Sequence, residues 1–506
     1  MMTIDDKNPV IIKSVRAIVV PDHKPWLSLP AAWLQESDES LPRIISFGQK
    51  SSAYTLRKHR GGKERIVISS ALQEALLLPL ERPLTLYETP RSLHIGPYIG
   101  LLTIGDAVHL KRLARTWIRE RVLEEGTLYA TVDARSVDWE TLTVLGTIFD
   151  AKTPTAELIP RRLPLPDMLL NKIPSRRWEH RLEQSGFFDR LYELSTARLL
   201  NPYYFKKWDI YQRLMIDPRL RMHIPETIRK PSEGDLHRML HIYGALYLKP
   251  EDGYKGKGIY FLQKKGPHLR VSYRTGRQTI TETFKSVRLF LNTHLPPEKI
   301  KYYVAQQAVK LMQFDARPFD FRAHLVKDGM RTWQMMGLVA KVAGERSITT
   351  HLFAGGVALP AKEALQKQAI FDPEALLRLI DDRVRRIAYH LESTYRHPLI
   401  ELGIDLGFDR EGRLYIFEVN AKPGYAVFEA VPALNKKKSA VKRALLSYLT
   451  TLAWEAWTYP DSGTNDAAPR DGRNDTAPRD EREVREDDIN PSGTNGASPH
   501  HSQKDA

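Results

Sequence analysis

Asp405, Glu418 and Asn420 fall within ELGIDLGFDREGRLYIFEVNAKPG, residues 401–424, a segment that otherwise patterns as a buried β-hairpin. Buried carboxylates are costly unless a cation or a hydrogen-bond donor meets them. Two acids and an amide oxygen, with no His or Cys among them, are hard donors suited to Mg²⁺ or Mn²⁺, ions that often bridge to substrate phosphates. DREG at 409–412 signals the turn, and symmetric pairing about it sets Asp405 opposite Ile416, with Glu418 a diagonal neighbour. Strand alternation then gathers Asp405, Glu418 and Asn420 on one face. Ile404, Leu406 and Phe408 join Tyr415, Phe417 and Val419 on the other. An odd-length loop would slip this register and split the set. The solvated outer face of an antiparallel sheet fits the same three residues.

Three further stretches carry groups suited to phosphate chemistry. In ALYLKPEDGYKGKG, residues 245–258, a strand-like run ends at Lys249-Pro250 and glycines follow at 253, 256 and 258. Gly253, Gly256 and Gly258 would let backbone N–H groups approach phosphate oxygens, and Lys249 would add a positive charge. A mobile hairpin tip fits the same residues, and no GxxxxGK[ST] pattern occurs in the chain. In PFDFRAHLVKDGMRTWQMMGLVAK, residues 318–341, Asp-Gly between alternating runs predicts a second hairpin. It places Asp320, Arg322 and His324 on one face, with Lys341 at the end of its second strand. Arg322 reads either as an ion-pair partner of Asp320 or as a clamp for a phosphate or acyl phosphate. Finally, TTHLFAGGVALP at 349–360 patterns as a loop able to close over a ligand.

The elements that must position these groups sit in a chain of 506 residues, too long for a single core. Short β-prone runs such as RIISFG, AYTLR, RIVIS and LTLYET predict a β-rich domain over 1–95. Alternating strand and helix patterns predict a small α/β domain over 96–198, with the Pro-rich stretch 153–174 as a crossing loop. A larger domain over 199–458 holds the chemical stretches and ends in a helix near 436–457. Residues 459–506, with the near-repeat NDAAPRDGR/NDTAPRDER, read as a disordered low-complexity tail. From Asp461 onward there are eleven acids and six bases, a net of −5, so the chain's +15 leaves +20 on the rest. Such a body attracts polyanions, but no regular pattern of stacking aromatics favours nucleic acid. Absent cysteine excludes disulfides, thiolate metal sites and a cysteine nucleophile. No run of eighteen apolar residues predicts a membrane span, and the first twenty residues do not read as a signal peptide, so a cytoplasmic location is expected.

Taken together, these stretches resemble the ATP-grasp superfamily, and within it the YheC/YheD family of endospore coat-associated proteins. The likeness covers roughly residues 90–455. It runs through GPYIGLLT, LPDMLLNKIPSR, NPYYFKKW…IPET, YLKPEDGYKGKGI, YVAQQAV, FDFRAHLVKDG and the opening hairpin. The resemblance implies an α+β ATP-grasp fold, preceded by the β-rich domain and a small α/β pre-ATP-grasp domain. It further implies that Lys207 and Lys249 contact ATP, that the 251–258 loop covers its phosphates, and that the strand with Gln306 and Gln307 lines the adenine through its backbone. Asp405, Glu418 and Asn420 would hold the metal, and Arg322 and Lys341 would act on the transferred phosphoryl group. The implied activity is ligation of an unidentified carboxylate to an unidentified amine through an acyl phosphate, linked to spore formation or the spore coat. The alternative is a nucleotide-binding structural coat protein without turnover. The sequence departs from the family pattern at His351, where Asn is usual, and at Lys341, where Arg is frequent.

Overall fold

The computed structural model describes residues 10–458 apart from 34–43, 61–64, 90–91, 155–156, 195–197, 202, 254–256, 277, 346, 351–354 and 369. The tail expected from 459 onward, Gly256 and His351 therefore lie outside the described residues. Four sheets organise the described residues.

The first is a mixed eight-stranded sheet in which RIISFG, RIVIS and LTLYET supply strands Ile44–Phe47, Arg65–Ser69 and Leu84–Glu88. AYTLR is divided at the buried Tyr54, Lys50–Ala53 pairing on one side of the sheet and Thr55–His59 on the other. The second sheet has six strands, with Tyr98–Thr103 paired in parallel to both Leu128–Asp133 and Met168–Asn171. Helix Ala107–Arg119 makes the crossover, its start fixed by the Asp106 carboxylate accepting from the His109 amide. Parallel strands covered on both faces read as unbroken apolar runs, and all six residues of LYATVD are buried. The Pro-rich stretch is not a crossing loop. It supplies two strands, Pro160–Pro164 at the sheet edge and Met168–Asn171 inside it. Proline is tolerated at a sheet edge, where a missing N–H breaks no ladder, and the buried Leu163, Leu165, Met168, Leu169 and Leu170 hold the segment in place. One hydrophobic cluster runs through both sheets, with Phe47 stacked on Tyr98 at 4.6 Å.

The third sheet is antiparallel, in the order Thr227–Arg229, Tyr303–Gln307, Ala245–Pro250, Tyr260–Lys265, His268–Thr275, Gln278–Phe284. The fourth runs Val357–Pro360, Trp333–Val342, Arg317–Lys327, Glu401–Phe408, Leu414–Asn420, again antiparallel. Phe319, Phe321, Ala323, Leu325, Ile404, Leu406 and Phe408 share a core with Ile380, Val384 and Ile387 of helix Pro373–Thr394. The opposite face is thereby left to Asp320, Arg322 and Asp405. The C-terminal helix Lys437–Thr458 joins sheets two and four, its Val441, Leu445 and Leu449 clustering with Ile99, Met168, Val326 and Val339.

The register of the last hairpin differs from the symmetric expectation. Its loop has five residues, Asp409–Arg413, because the Asp409 carboxylate accepts from the Glu411 and Arg413 amides at 3.1 and 2.8 Å. The odd loop slips the pairing by one, so that Phe408 faces Leu414 and Leu406 faces Ile416. An irregularity at Phe417 then adds one residue, and Asp405 comes directly opposite Glu418, with Gly403 opposite Asn420. The bulge restores the shared face that the loop alone would split. Ile416 and Leu414, rather than Phe417 and Tyr415, join the core face.

Candidate functional site

A cavity of about 970 Å³ is walled by sheets three and four. Sheet three contributes Tyr247, Lys249 and Gln306, and sheet four contributes Arg322, Lys341 and Asp405. Lys207, Gly253, Gln307, Glu418 and Asn420 complete the set of expected residues brought to this one space. Gly258 is not part of the wall. Its φ of +70° and the 2.9 Å that would separate an added Cβ from Pro250 account for glycine there. Ten Lys or Arg side chains face three carboxylates around the cavity, a balance suited to a polyanion.

Lys249 stands near the end of its strand and donates to the Gln306 side-chain oxygen at 2.5 Å. Gln306 in turn donates to Tyr211 Oη at 2.9 Å and to Thr227 Oγ1 at 3.1 Å, so its amide orients the lysine. Burial, reinforced by Lys207, pulls the Lys249 ammonium down to about 8, with Glu418 opposing. Gln307 accepts from the Glu226 amide at 3.3 Å. Lys207 opens helix Lys207–Ile216, donates to the Gly253 carbonyl at 2.8 Å and lies 3.5 Å from Glu418. The same helix carries Tyr211, whose hydroxyl donates to the Phe417 carbonyl at 2.7 Å. One residue thus ties the bulge of the last hairpin to Gln306, the side chain that orients Lys249. Tyr211 was not singled out from sequence.

On sheet four, Arg322 grips Asp405 with two parallel bonds, Nε to Oδ1 at 2.8 Å and Nη2 to Oδ2 at 2.6 Å. Lys341 adds a third, 2.7 Å to Oδ1, and lies 3.1 Å from Asp320. Asp320 also accepts from Thr350 Oγ1 at 2.6 Å. Arg322 therefore pairs across strands with Asp405, not along its own strand with Asp320. Gly403 makes room for it, since a Cβ there would meet Arg322 Nη1 at 2.7 Å. Burial alone would push the Asp405 carboxyl up, but Arg322 and Lys341 outweigh it and hold Asp405 well below the usual carboxylate range. Asp320 moves the other way, raised by burial and by the charge of Asp405 against the pull of Lys341. Burial pushes the Glu418 carboxyl up, with Asp405 adding to it, but Lys207, Arg322 and Lys249 together hold it lowered. A buried ion pair contributes little to stability compared with well-packed apolar side chains, so this cluster points to chemistry.

The donor set fits a hard divalent cation. Among the described residues no three His, Cys, Asp or Glu side chains gather into a metal cluster, and hard divalent cations also take amide and phosphate oxygens as ligands. A carboxylate offers roughly four lone-pair positions, and three bonds fall on Asp405, so Oδ2 keeps one. Glu418 remains partly open to the cavity, and Asn420 makes no side-chain hydrogen bond among the described residues. A second buried group went unnoticed in sequence. Glu401 accepts from Tyr425 Oη at 2.5 Å, lies 3.1 Å from His324 Nε2 and pairs with Lys172 at 3.3 Å. Burial pushes its carboxyl up, but Lys172 and His324 pull it down to about 2.

The chain is 27% identical over 424 residues to the endospore coat-associated protein YheD of Bacillus subtilis, covering 82% of this chain and 92% of that one. It is 25% identical over 218 residues to endospore coat-associated protein YheC of the same organism, covering 43% and 60%. Similar solved structures include D-alanyl-alanine synthetase A from Vibrio cholerae, at 13% identity and a TM-score of 0.39 over 70% of this chain and 99% of that chain. Another is the D-alanine-D-alanine ligase from Coxiella burnetii, at 9% identity and a TM-score of 0.40 over 74% and 99%. A family profile described as YheC/D like ATP-grasp matches residues 196–452, which hold the third and fourth sheets together with Asp405, Glu418 and Asn420. With its α+β architecture and a profile match over half its length, the chain belongs to the YheC/D-like ATP-grasp family.

Proposed function

We propose that this protein is an ATP- and divalent-metal-dependent ligase that joins a carboxylate to an amine through an acyl phosphate. The observation that carries the proposal is the convergence of Lys207, Lys249, Arg322, Asp405, Glu418 and Asn420 on one cavity with a surplus of cations. Lys207 and Lys249 hold the nucleotide phosphates, and the strand Tyr303–Gln307 lines the adenine through its backbone. Asp405, Glu418 and Asn420 hold Mg²⁺ or Mn²⁺, which when bound neutralises phosphate charge. A carboxylate oxygen of the acid attacks the γ-phosphorus, the bond to the β-phosphate oxygen breaks, and ADP leaves. The amine nitrogen then attacks the acyl carbon, inorganic phosphate departs, and the nitrogen loses a proton. Arg322 and Lys341, already oriented by Asp405 and Asp320, lie where charge spreads over the acyl phosphate. No nucleophile of the protein is needed, which suits a chain without cysteine.

Two relatives carry the name endospore coat-associated protein, and we place the activity in spore formation or at the spore coat on that basis. The test is release of ADP by purified protein with Mg·ATP and a panel of amino acids, short peptides and wall precursors. Acid- and amine-dependent ADP supports the ligase. Nucleotide binding without ADP release across the panel favours the second reading, a nucleotide-binding structural coat protein.

A further inference from the structure

Among the described residues, the second sheet and its helices give the cavity only Pro174 and Arg176, at the start of helix Arg176–Gln184. The Arg176 guanidinium lies 4.8 Å from the centre of the Tyr204 ring, and Lys422 Nζ lies 4.6 Å from the same ring. Two cations on one ring repel each other, and an aromatic face returns only about 0.5–2 kcal/mol to each. Lys422 pairs with Glu179, and the neighbouring Lys172 pairs with Glu401, neither acid reaching the cavity. Arg176 donates to the Phe205 carbonyl at 3.1 Å and forms no ion pair among the described residues. This corner of the fold thus holds three cations against two acids, and of the three only Arg176 and Lys422 line the cavity, the surplus falling on the half-buried guanidinium of Arg176. The first turn of its helix adds to the positive potential, since Ser175 provides no side-chain cap for the open N–H groups.

We propose that this corner seats the acid substrate, and that the acid carries a second anionic group, a carboxylate or a phosphate, held by Arg176 beside Lys422 and Tyr204. The inference rests on the ligase reading above and names its substrate class. Lys422 follows Asn420 by two residues, so the anion site adjoins the place where the first carboxylate is activated. The lysines and glutamines assigned to the nucleotide stand on other elements, helix Lys207–Ile216 and sheet three. A guanidinium fork matches both planar and tetrahedral anions.

The experiment is calorimetric titration of the full chain with glutarate, 4-phosphonobutyrate and the monoanionic glutaramate, each with and without saturating AMP-PNP and Mg²⁺. At least one dianion should bind about ten- to a hundredfold tighter than glutaramate, as expected for one charge-assisted contact, and the tighter of the two identifies the group. Arg176→Gln should abolish that preference and Arg176→Lys should keep part of it, with AMP-PNP affinity unchanged in both. Equal affinity for dianion and monoanion, no binding of any of the three, or loss of AMP-PNP affinity in Arg176→Gln would each overturn the inference. Failure of the wild type to bind AMP-PNP would instead refute the nucleotide reading, and the titrations without nucleotide judge the anion site by itself.

Discussion

Replacing Asp405 by Asn keeps the side chain's shape and removes its charge, which tests whether the ion cluster on sheet four is held by compensation. Three charged hydrogen bonds converge on Asp405, and its partners Arg322 and Lys341 are only 15% and 5% exposed. Lys341 retains Asp320, but Arg322 is left without its carboxylate. Removing one partner of a buried pair costs about 3–5 kcal/mol. At about 1.36 kcal/mol per decade, that lowers hydrogen-exchange protection in Arg317–Lys327 and Glu401–Phe408 by roughly two to four decades, wherever exchange proceeds through opening of this sheet. Exchange read by mass spectrometry on peptides from the two strands measures it. The double variant Arg322→Met/Asp405→Leu should recover most of the loss, because the expensive state is the uncompensated charge rather than the missing pair. A change below tenfold in Asp405→Asn, or a double variant as damaged as the single, would refute the reasoning.

The Lys249 ammonium titrates near 8, so nucleotide affinity should fall as pH rises through that value, and Lys249→Met should flatten the profile in calorimetric titrations of AMP-PNP. Tyr211→Phe removes the donor to the Phe417 carbonyl and the acceptor for Gln306. It should cost about 1–3 kcal/mol by thermal denaturation and raise exchange in Leu414–Asn420. Glu401 has a folded value of about 2, below the unfolded value of about 4.3. The unfolded chain therefore binds more protons in that window, so the contribution of Glu401 is fully present above about 4.3 and is lost as pH falls toward 2. Acid denaturation of Glu401→Gln should accordingly show a shallower pH dependence than wild type between those limits.

The turn signals DREG and Asp-Gly located both hairpins of the fourth sheet, and alternation gave the faces of Arg322 and Asp405, because a two-residue period needs no knowledge of partners. Register was harder to read. DREG suggested a symmetric turn, but the Asp409 carboxylate captures two amides and extends the loop through Arg413. The compensating bulge had a faint signal in the adjacent apolar pair Ile416-Phe417, which breaks strict alternation. The partner of Arg322 was missed for a related reason. Asp320 is its nearest acid in sequence, but residues directly across a ladder lie about 4.5–5.5 Å apart, closer than i and i+2 along one strand. The strands at 160–171 were hidden because proline counts against strand until the edge position is known. Arg176, Tyr204 and Lys422 come from three separate stretches, and only the folded chain puts them on one ring.

Calorimetric titration of AMP-PNP into wild type and Glu418→Ala, each with Mg²⁺ and with EDTA, reads out most directly whether the acids of the last hairpin serve a metal-borne nucleotide. Wild type should bind tightly with Mg²⁺ and weakly in EDTA, and Glu418→Ala should bind weakly in both while keeping its melting profile. Equal Mg²⁺ dependence in the two proteins, or no binding by wild type, would contradict the account.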